Sequence, residues 1–163
     1  MRSVEFVEDP TSPVNSAGPA GRIEFSCVVD ASVGVKWVLR EEHSETAQKL
    51  LHGNNRLIVP NLFYIEVGNV LWRRVGSGDI TEEQGKRYLN RILAIPLDVI
   101  HDEDSIVDAY LIARETGRAV YDSLYLALSI RESVQVITAD KRFYNALTSH
   151  PSYGPRLRWI ETL

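Results

Sequence analysis

The sequence predicts an α/β fold in which helices cover both faces of a parallel sheet. Two observations predict it. Short, β-branched apolar runs are nearly continuous rather than alternating, as strands buried on both faces require. Stretches of helical pattern separate these runs, and repeated strand–helix succession is the signature of an α/β sandwich.

The elements follow in order. Residues 1–22 are polar and without period, interrupted by Pro10, Pro13, Gly18, Pro19 and Gly21. They read as a flexible tail or a mis-assigned start, with one folded domain over 23–163. Ser26 to Val29 is a short apolar strand. Ser32 to Leu39 and Ser44 to Leu51 read as helices. Leu57-Ile58-Val59 is a second strand, stopped by Pro60. Asn61 can cap a helix from Leu62 to about Val75, which Gly76-Ser77-Gly78 breaks. Thr81 and Gln84 form a capping-box pair for a helix to about Leu93. Leu97 to Ile100 is a third strand. Asp104 can cap Ser105 to Thr116, ended by Gly117. Asp122 opens a helix to about Glu132, and Val134 to Thr138 is a fourth strand. Lys141 to Leu147 is a short helix and Leu157 to Ile160 a final strand.

At 163 residues the chain fits one domain with a substantial core, and its apolar content of 44% is ordinary for a globular protein. Cys27 is the sole cysteine, which excludes an intramolecular disulfide; its apolar neighbours make it a buried small hydrophobe. No apolar run approaches the roughly 18 residues of a membrane span. The acidic N-terminus lacks the apolar core of a signal peptide, so the expected location is the cytoplasm. The formal charge of −4 argues against a broad basic coat for nucleic acid. It leaves room for carboxylates that hold a cation, which reverses the local sign.

In open parallel sheets, sites form outside the carboxyl ends of the strands. Asp30 directly follows the first strand and Asp140 follows the fourth. Glu66 lies within a helix pattern, with Leu62, Phe63, Asn69 and Val70 as its surface neighbours. A glutamate among apolar groups is costly unless something pairs it. Asp122 begins an apolar helix. Each acid has a plainer reading alone: Asp30, Asp122 and Asp140 as helix caps, Glu66 as a stripe-edge residue paired with Arg73 or Arg74. Together they suggest more. Two carboxylates about 4 Å apart repel by roughly 4 kcal/mol at an effective dielectric near 20. Four of them need protons or cations to persist. Oxygen ligands without His or Cys favour Mg²⁺ or Mn²⁺. Such ions activate water and offset charge on a phosphate in flight, with no nucleophilic side chain required. None is evident: Ser32 has no neighbouring base in the sequence, and no G-x-S-x-G elbow occurs.

Four segments carry a family resemblance: Val28-Val29-Asp30-Ala31-Ser32, Tyr64-Ile65-Glu66-Val67-Gly68-Asn69-Val70-Leu71, Tyr121 to Leu128, and Ile137-Thr138-Ala139-Asp140-Lys141-Arg142-Phe143. In order and spacing they resemble the PIN domain, and more closely the VapC toxins of toxin–antitoxin pairs. The resemblance spans about Phe25 to Trp159. It implies a three-layer α/β/α sandwich around a five-stranded parallel sheet, and Mg²⁺- or Mn²⁺-dependent endoribonuclease activity through a metal-activated water. It implies Asp30, Glu66, Asp122 and Asp140 as the acidic metal-site residues, with Thr138 at a position where the family commonly has a hydroxyl. It implies a homodimer and a VapB-type antitoxin whose tail lies near the acidic groove. A tail before Phe25 departs from the family pattern.

Other residues are weighed against these. Arg73, Arg74, Arg118 and Lys141 or Arg142 are candidate contacts for RNA phosphates. Trp37, Tyr125 and Trp159 read as core. Leu71, Trp72 and Val75 are expected to be exposed if the helical hairpin at Gly76-Ser77-Gly78 projects. His43, His52, His101 and His150 show no ligand spacing, and Asp102-Glu103-Asp104 reads as capping and solvated charge. Three alternatives stay open: a phosphatase with Asp30 as nucleophile, disfavoured by Ser32 where a second Asp is wanted; a non-catalytic module that binds RNA or antitoxin; and a deoxyribonuclease.

Overall fold

A computed structural model describes residues 24–163; the tail expected over 1–22 lies outside the described residues. Five strands form one sheet: β1 (Ser26–Val29), β2 (Arg56–Pro60), β3 (Asp98–Ile100), β4 (Gln135–Thr138) and β5 (Leu157–Trp159). All neighbouring pairs are parallel, in the order β3-β2-β1-β4-β5. The central strands are buried on consecutive residues, as in Cys27-Val28-Val29, Leu57-Ile58-Val59 and Val136-Ile137-Thr138. That is why their sequences do not alternate. The edge strands β3 and β5 are short and more exposed. Burial also pushes the Cys27 thiol up to about 12, so it packs as an inert small hydrophobe.

Among the described residues seven helices cover the sheet: α1 (Ala31–Gly34), α2 (Ser44–Lys49), α3 (Leu62–Gly76), α4 (Glu82–Leu93), α5 (Ile106–Thr116), α6 (Val120–Arg131) and α7 (Lys141–Leu147). The chain runs from β1 to β2 to β3 in one direction, then returns to β4 and β5 on the other side of β1. Right-handed crossovers therefore place α1–α4 on one face and α5–α7 on the other. The packing agrees: α3 lies against α1, α4 and β2, while α6 lies against α5, β1, β2 and β4. The direction reverses between β1 and β4, which opens a crevice at their carboxyl ends.

The helix expected over Ser32–Leu39 is broken into α1 and a 3-10 turn, Val35–Trp37. Gly34 sits so close to the Phe63 ring that a Cβ there would overlap it, and the β-branched Val33, Val35 and Val38 resist a regular helix. Asn61 does not cap α3 with its side chain. The Leu62 amide instead donates to Asp102 Oδ1 (3.3 Å), supplied by the 3-10 turn Asp102–Asp104 after β3. That turn takes the place of the Asp104 cap, and α5 starts at Ile106. Asp122 lies in the first turn of α6, whose cap position is Ala119. The capping box of α4 forms as expected, with Gln84 N donating to Thr81 Oγ1 (3.1 Å) and Thr81 N to Gln84 Oε1 (2.8 Å). Gly117 ends α5 at φ +68°, a conformation that favours glycine. No helix among the described residues is long and apolar enough to cross a membrane.

Candidate active site

Four elements deliver one acid each to the crevice. Asp30 leaves the end of β1, and Asp140 follows β4 and opens α7. Glu66 comes from α3 on one face, and Asp122 from the first turn of α6 on the other. All four line a single groove of about 850 Å³. The convergence expected from the sequence is therefore present.

Each carboxylate is held by one oxygen. Asp30 Oδ2 accepts from Ser32 Oγ (2.6 Å) and from Thr138 Oγ1 (2.6 Å). Those hydroxyls are themselves placed by the backbone, because Ala139 N donates to Ser32 Oγ (2.9 Å) and Asp140 N to Thr138 Oγ1 (3.0 Å). Asp140 Oδ1 caps α7 by accepting from the amides of Arg142 (2.8 Å) and Phe143 (3.1 Å). Glu66 Oε2 accepts from the Tyr125 hydroxyl. Asp122 Oδ2 accepts from Arg118 Nη2 (3.2 Å). Among the described residues, the second oxygen of each acid accepts no hydrogen bond. The capping reading of Asp140 and a site role thus coexist: one oxygen serves the helix and the other is left over.

The electrostatics follow from burial and crowding. Asp30 is 8% exposed. Burial raises its pKa, with repulsion from Asp140 and Asp122, against the pull of the two hydroxyls. Burial and the three aspartates push Glu66 up to about 7, although Tyr125 opposes the shift. Asp122 is raised by burial and Asp140 despite Arg118. These are groups that resist carrying their charges side by side. Among the described residues no three acids, histidines or cysteines are close enough to cage a cation as they stand, so a bound dication would have to draw the acids closer. The four acids face one space from separate anchors. The donor set is entirely carboxylate oxygen, which fits a hard dication such as Mg²⁺ or Mn²⁺ and does not fit zinc.

The walls of the groove mix cations and apolar groups. Arg73, Arg118 and Arg142 line it; Arg74 and Lys141 do not. Arg74 is taken by Glu41 and Asp79. Trp72, 72% exposed, and Tyr121, 55% exposed, also line the groove. Of the three residues expected on the projecting hairpin, Trp72 is exposed but Leu71 is buried against the core. Trp37 is core as expected, and Trp159 is only partly buried, with His43 edge-on to its ring and Tyr144 tilted against it. None of the four histidines lines the groove.

Two contributors escaped the sequence reading. Ser32 was considered only as a nucleophile, yet it orients Asp30 and bridges to the β4 end. Its spacing of two residues from Asp30 was the available signal. Tyr125 is core, as read, but its hydroxyl serves Glu66. A tyrosine rather than phenylalanine in an otherwise apolar helix start signals a buried partner for the hydroxyl.

Comparison with known proteins bears on the family and the fold. The chain is 29% identical over 117 residues to Ribonuclease VapC3 of Pyrobaculum aerophilum, which covers 71% of this chain and 89% of that protein. Its fold is similar to the crystal structure of PAE2754 from the same organism, with a TM-score of 0.64 and 21% identity over 86% of this chain and 85% of that one. It is also similar to Mycobacterium tuberculosis VapC20, a toxin that cleaves the sarcin-ricin loop, with a TM-score of 0.58 and 20% identity over 74% of this chain and 95% of that one. The PIN domain family model matches residues 27–146, a span that runs from within β1 into α7. The chain belongs to the PIN domain family.

Proposed function

We propose that this protein is a divalent-metal-dependent endoribonuclease, the toxin of a VapBC-type toxin–antitoxin pair. The observation that carries the reading is the set of four acids, delivered by four elements to one groove and each keeping an oxygen that accepts no hydrogen bond from the described residues. Its relative VapC3 is a ribonuclease by name, and VapC20, similar in fold, is a toxin that cuts RNA.

Asp30 Oδ1, Asp122 Oδ1 and Asp140 Oδ2 would hold the cation, with Glu66 Oε1 completing the shell or serving a second ion. Mg²⁺ or Mn²⁺ bound there lowers the pKa of water and offsets charge on the phosphodiester. The chain's own residues do the positioning. Ser32 and Thr138 fix the Asp30 carboxylate, Tyr125 fixes Glu66, and the cap of α7 fixes Asp140. The O–P bond from water forms as the bond to the leaving ribose oxygen breaks; the water's proton passes to a groove carboxylate or to solvent, and the leaving oxygen takes up a proton from solvent to become a hydroxyl. The arginines of the walls meet the RNA backbone. Trp72 and Tyr121 offer exposed rings on which unpaired bases can stack.

The same walls suit an antitoxin. An amphipathic tail with acidic side chains would set its apolar side on Leu62, Ile65 and Trp72 and pair with Arg73 and Arg142. A second copy of the chain fits the exposed apolar stripe of α5, formed by Val107 (68% exposed), Tyr110 (51%) and Leu111 (57%). On this reading the protein acts in the cytoplasm, where its RNA substrate is made.

The deciding experiment incubates the purified protein with bulk tRNA and ribosomal RNA, adding Mn²⁺ or Mg²⁺ and then EDTA. Discrete cleavage that EDTA and Asp30→Asn both abolish is expected. Cleavage that survives EDTA, or that Asp30→Asn retains in full, rejects the reading. Binding without cutting would make the protein a non-catalytic module.

A further inference from the structure

Two arginines of this protein make opposite use of their donors. Arg56, at the start of β2, places Nε (2.7 Å) and Nη2 (2.6 Å) on Asp98 and Nη1 (2.9 Å) on Glu132. It is a fully employed structural clamp. Arg118, just beyond the Gly117 turn, donates to Asp122 through Nη2 alone (3.2 Å), while its Nε is shut away from solvent with no hydrogen-bond partner. Buried donors are normally paired. A residue whose task was only to brace Asp122 would be expected to use its fork as Arg56 does. Arg118 is also the only guanidinium among the described residues bonded to one of the four acids. It is half-buried within the groove, whereas Arg73 and Arg142 stand exposed.

We infer that Arg118 contacts the scissile phosphate: it rests on Asp122 in the free protein and turns its guanidinium onto a non-bridging oxygen when an RNA backbone enters the groove. The inference rests on the ribonuclease reading above. The planar fork matches a phosphate's oxygens in pairs, which a lysine cannot do. Leaving the resting pose frees a donor that is unmet there. It also removes a cation from beside Asp122, where it competes with the dication. Charge builds on the phosphate as water attacks, so a donor already in place is worth more in the transition state than before it.

The test compares wild type, Arg118→Gln and Arg118→Lys on bulk tRNA and ribosomal RNA at saturating Mn²⁺, with Mn²⁺ affinity measured by calorimetry. Arg118→Gln should cleave about 100-fold more slowly while binding Mn²⁺ at least as tightly as wild type. Arg118→Lys should recover part of the rate. Cleavage by Arg118→Gln within about threefold of wild type overturns the role. So does a loss that matches a fall in Mn²⁺ affinity and disappears with excess Mn²⁺, because Arg118 would then only support Asp122. If Arg118→Gln does not fold, Arg118→Lys decides: wild-type cleavage without the fork overturns the role, and slower cleavage at unchanged Mn²⁺ affinity supports it. A wild type that cuts no RNA overturns the ribonuclease reading and this role together. A cutting wild type beside an equally fast variant overturns the role alone.

Discussion

The Tyr125 hydroxyl donates a hydrogen bond to Oε2 of Glu66, joining a helix from one face of the sheet to a helix from the other. Tyr125 is 1% exposed. Burial, with the charges of Asp30 and Glu66, holds its phenol well above the usual value, so it remains a donor at any working pH. Tyr125→Phe keeps the ring in the core and removes only this bond. Cleavage should fall about tenfold and folding stability by about 1.5–3 kcal/mol, the range for a hydrogen bond to a charged group. Steady-state cleavage and thermal melts measure both, and an unchanged rate would exclude Tyr125 from positioning Glu66.

Ser32 and Thr138 donate to the same oxygen of Asp30, so their effects should not add. Thr138→Val, nearly isosteric, also strips the Asp140 amide of its acceptor. It should cost about 1–3 kcal/mol of stability for the orphaned buried donor. Ser32→Ala likewise strips the Ala139 amide of its acceptor and should also slow cleavage, and the double variant should differ from the sum of the two by more than about 0.5 kcal/mol in a cleavage-based cycle. Strict additivity would show that the hydroxyls act separately.

The raised carboxylates set a pH dependence. An acid whose folded pKa exceeds its unfolded one destabilises the fold when ionised, so the penalty is present above the folded value and vanishes below the unfolded one. For Glu66 that window runs from about 7 down to 4.5. Asp30 and Asp122 add to it in the same direction. In EDTA, stability should therefore rise as pH falls from 8 to 6, by about 1 kcal/mol after discounting Glu66 for solvent screening. That corresponds to about 2–4 °C in Tm. Glu66→Gln should flatten the rise. Saturating Mn²⁺ should reverse its sign, because bound carboxylates must stay ionised. A metal-free Tm that falls steadily below pH 8 would contradict the raised values.

Trp72 is exposed in the groove, so Trp72→Ala should leave stability within about 0.5 kcal/mol. If the ring stacks a base, affinity for a labelled single-stranded RNA should fall about tenfold, measured by anisotropy in the inactive Asp30→Asn background. Equal affinity would remove Trp72 from the RNA surface.

Much of this was legible because it is local. The β1 run, the Thr81–Gln84 box, the stop at Gly117 and the span of α7 each depend on residues a few positions apart, and each formed where the sequence placed it. The acids were legible for a related reason: two follow strands, and the topology carries strand ends to one edge. What escaped depends on distant contacts. The Leu62 amide is capped by Asp102, 40 residues away, rather than by Asn61 beside it. Phe63 packs so close to Gly34 that no Cβ fits there, a contact between α1 and α3 that the local sequence does not show. The duties of Ser32 and Tyr125 require knowing that β4 and α3 come to meet them.

The acids enter the groove from points spread over 111 positions of the chain, and Asp140 is the last of them. During synthesis the ribosome releases Asp30, Glu66 and Asp122 before β4 and α7 can close the crevice. On the proposed reading, an unfinished chain is harmless to the RNA of the machine that makes it. Toxicity begins only with a completed fold, which gives a neutralising partner the interval of translation in which to arrive.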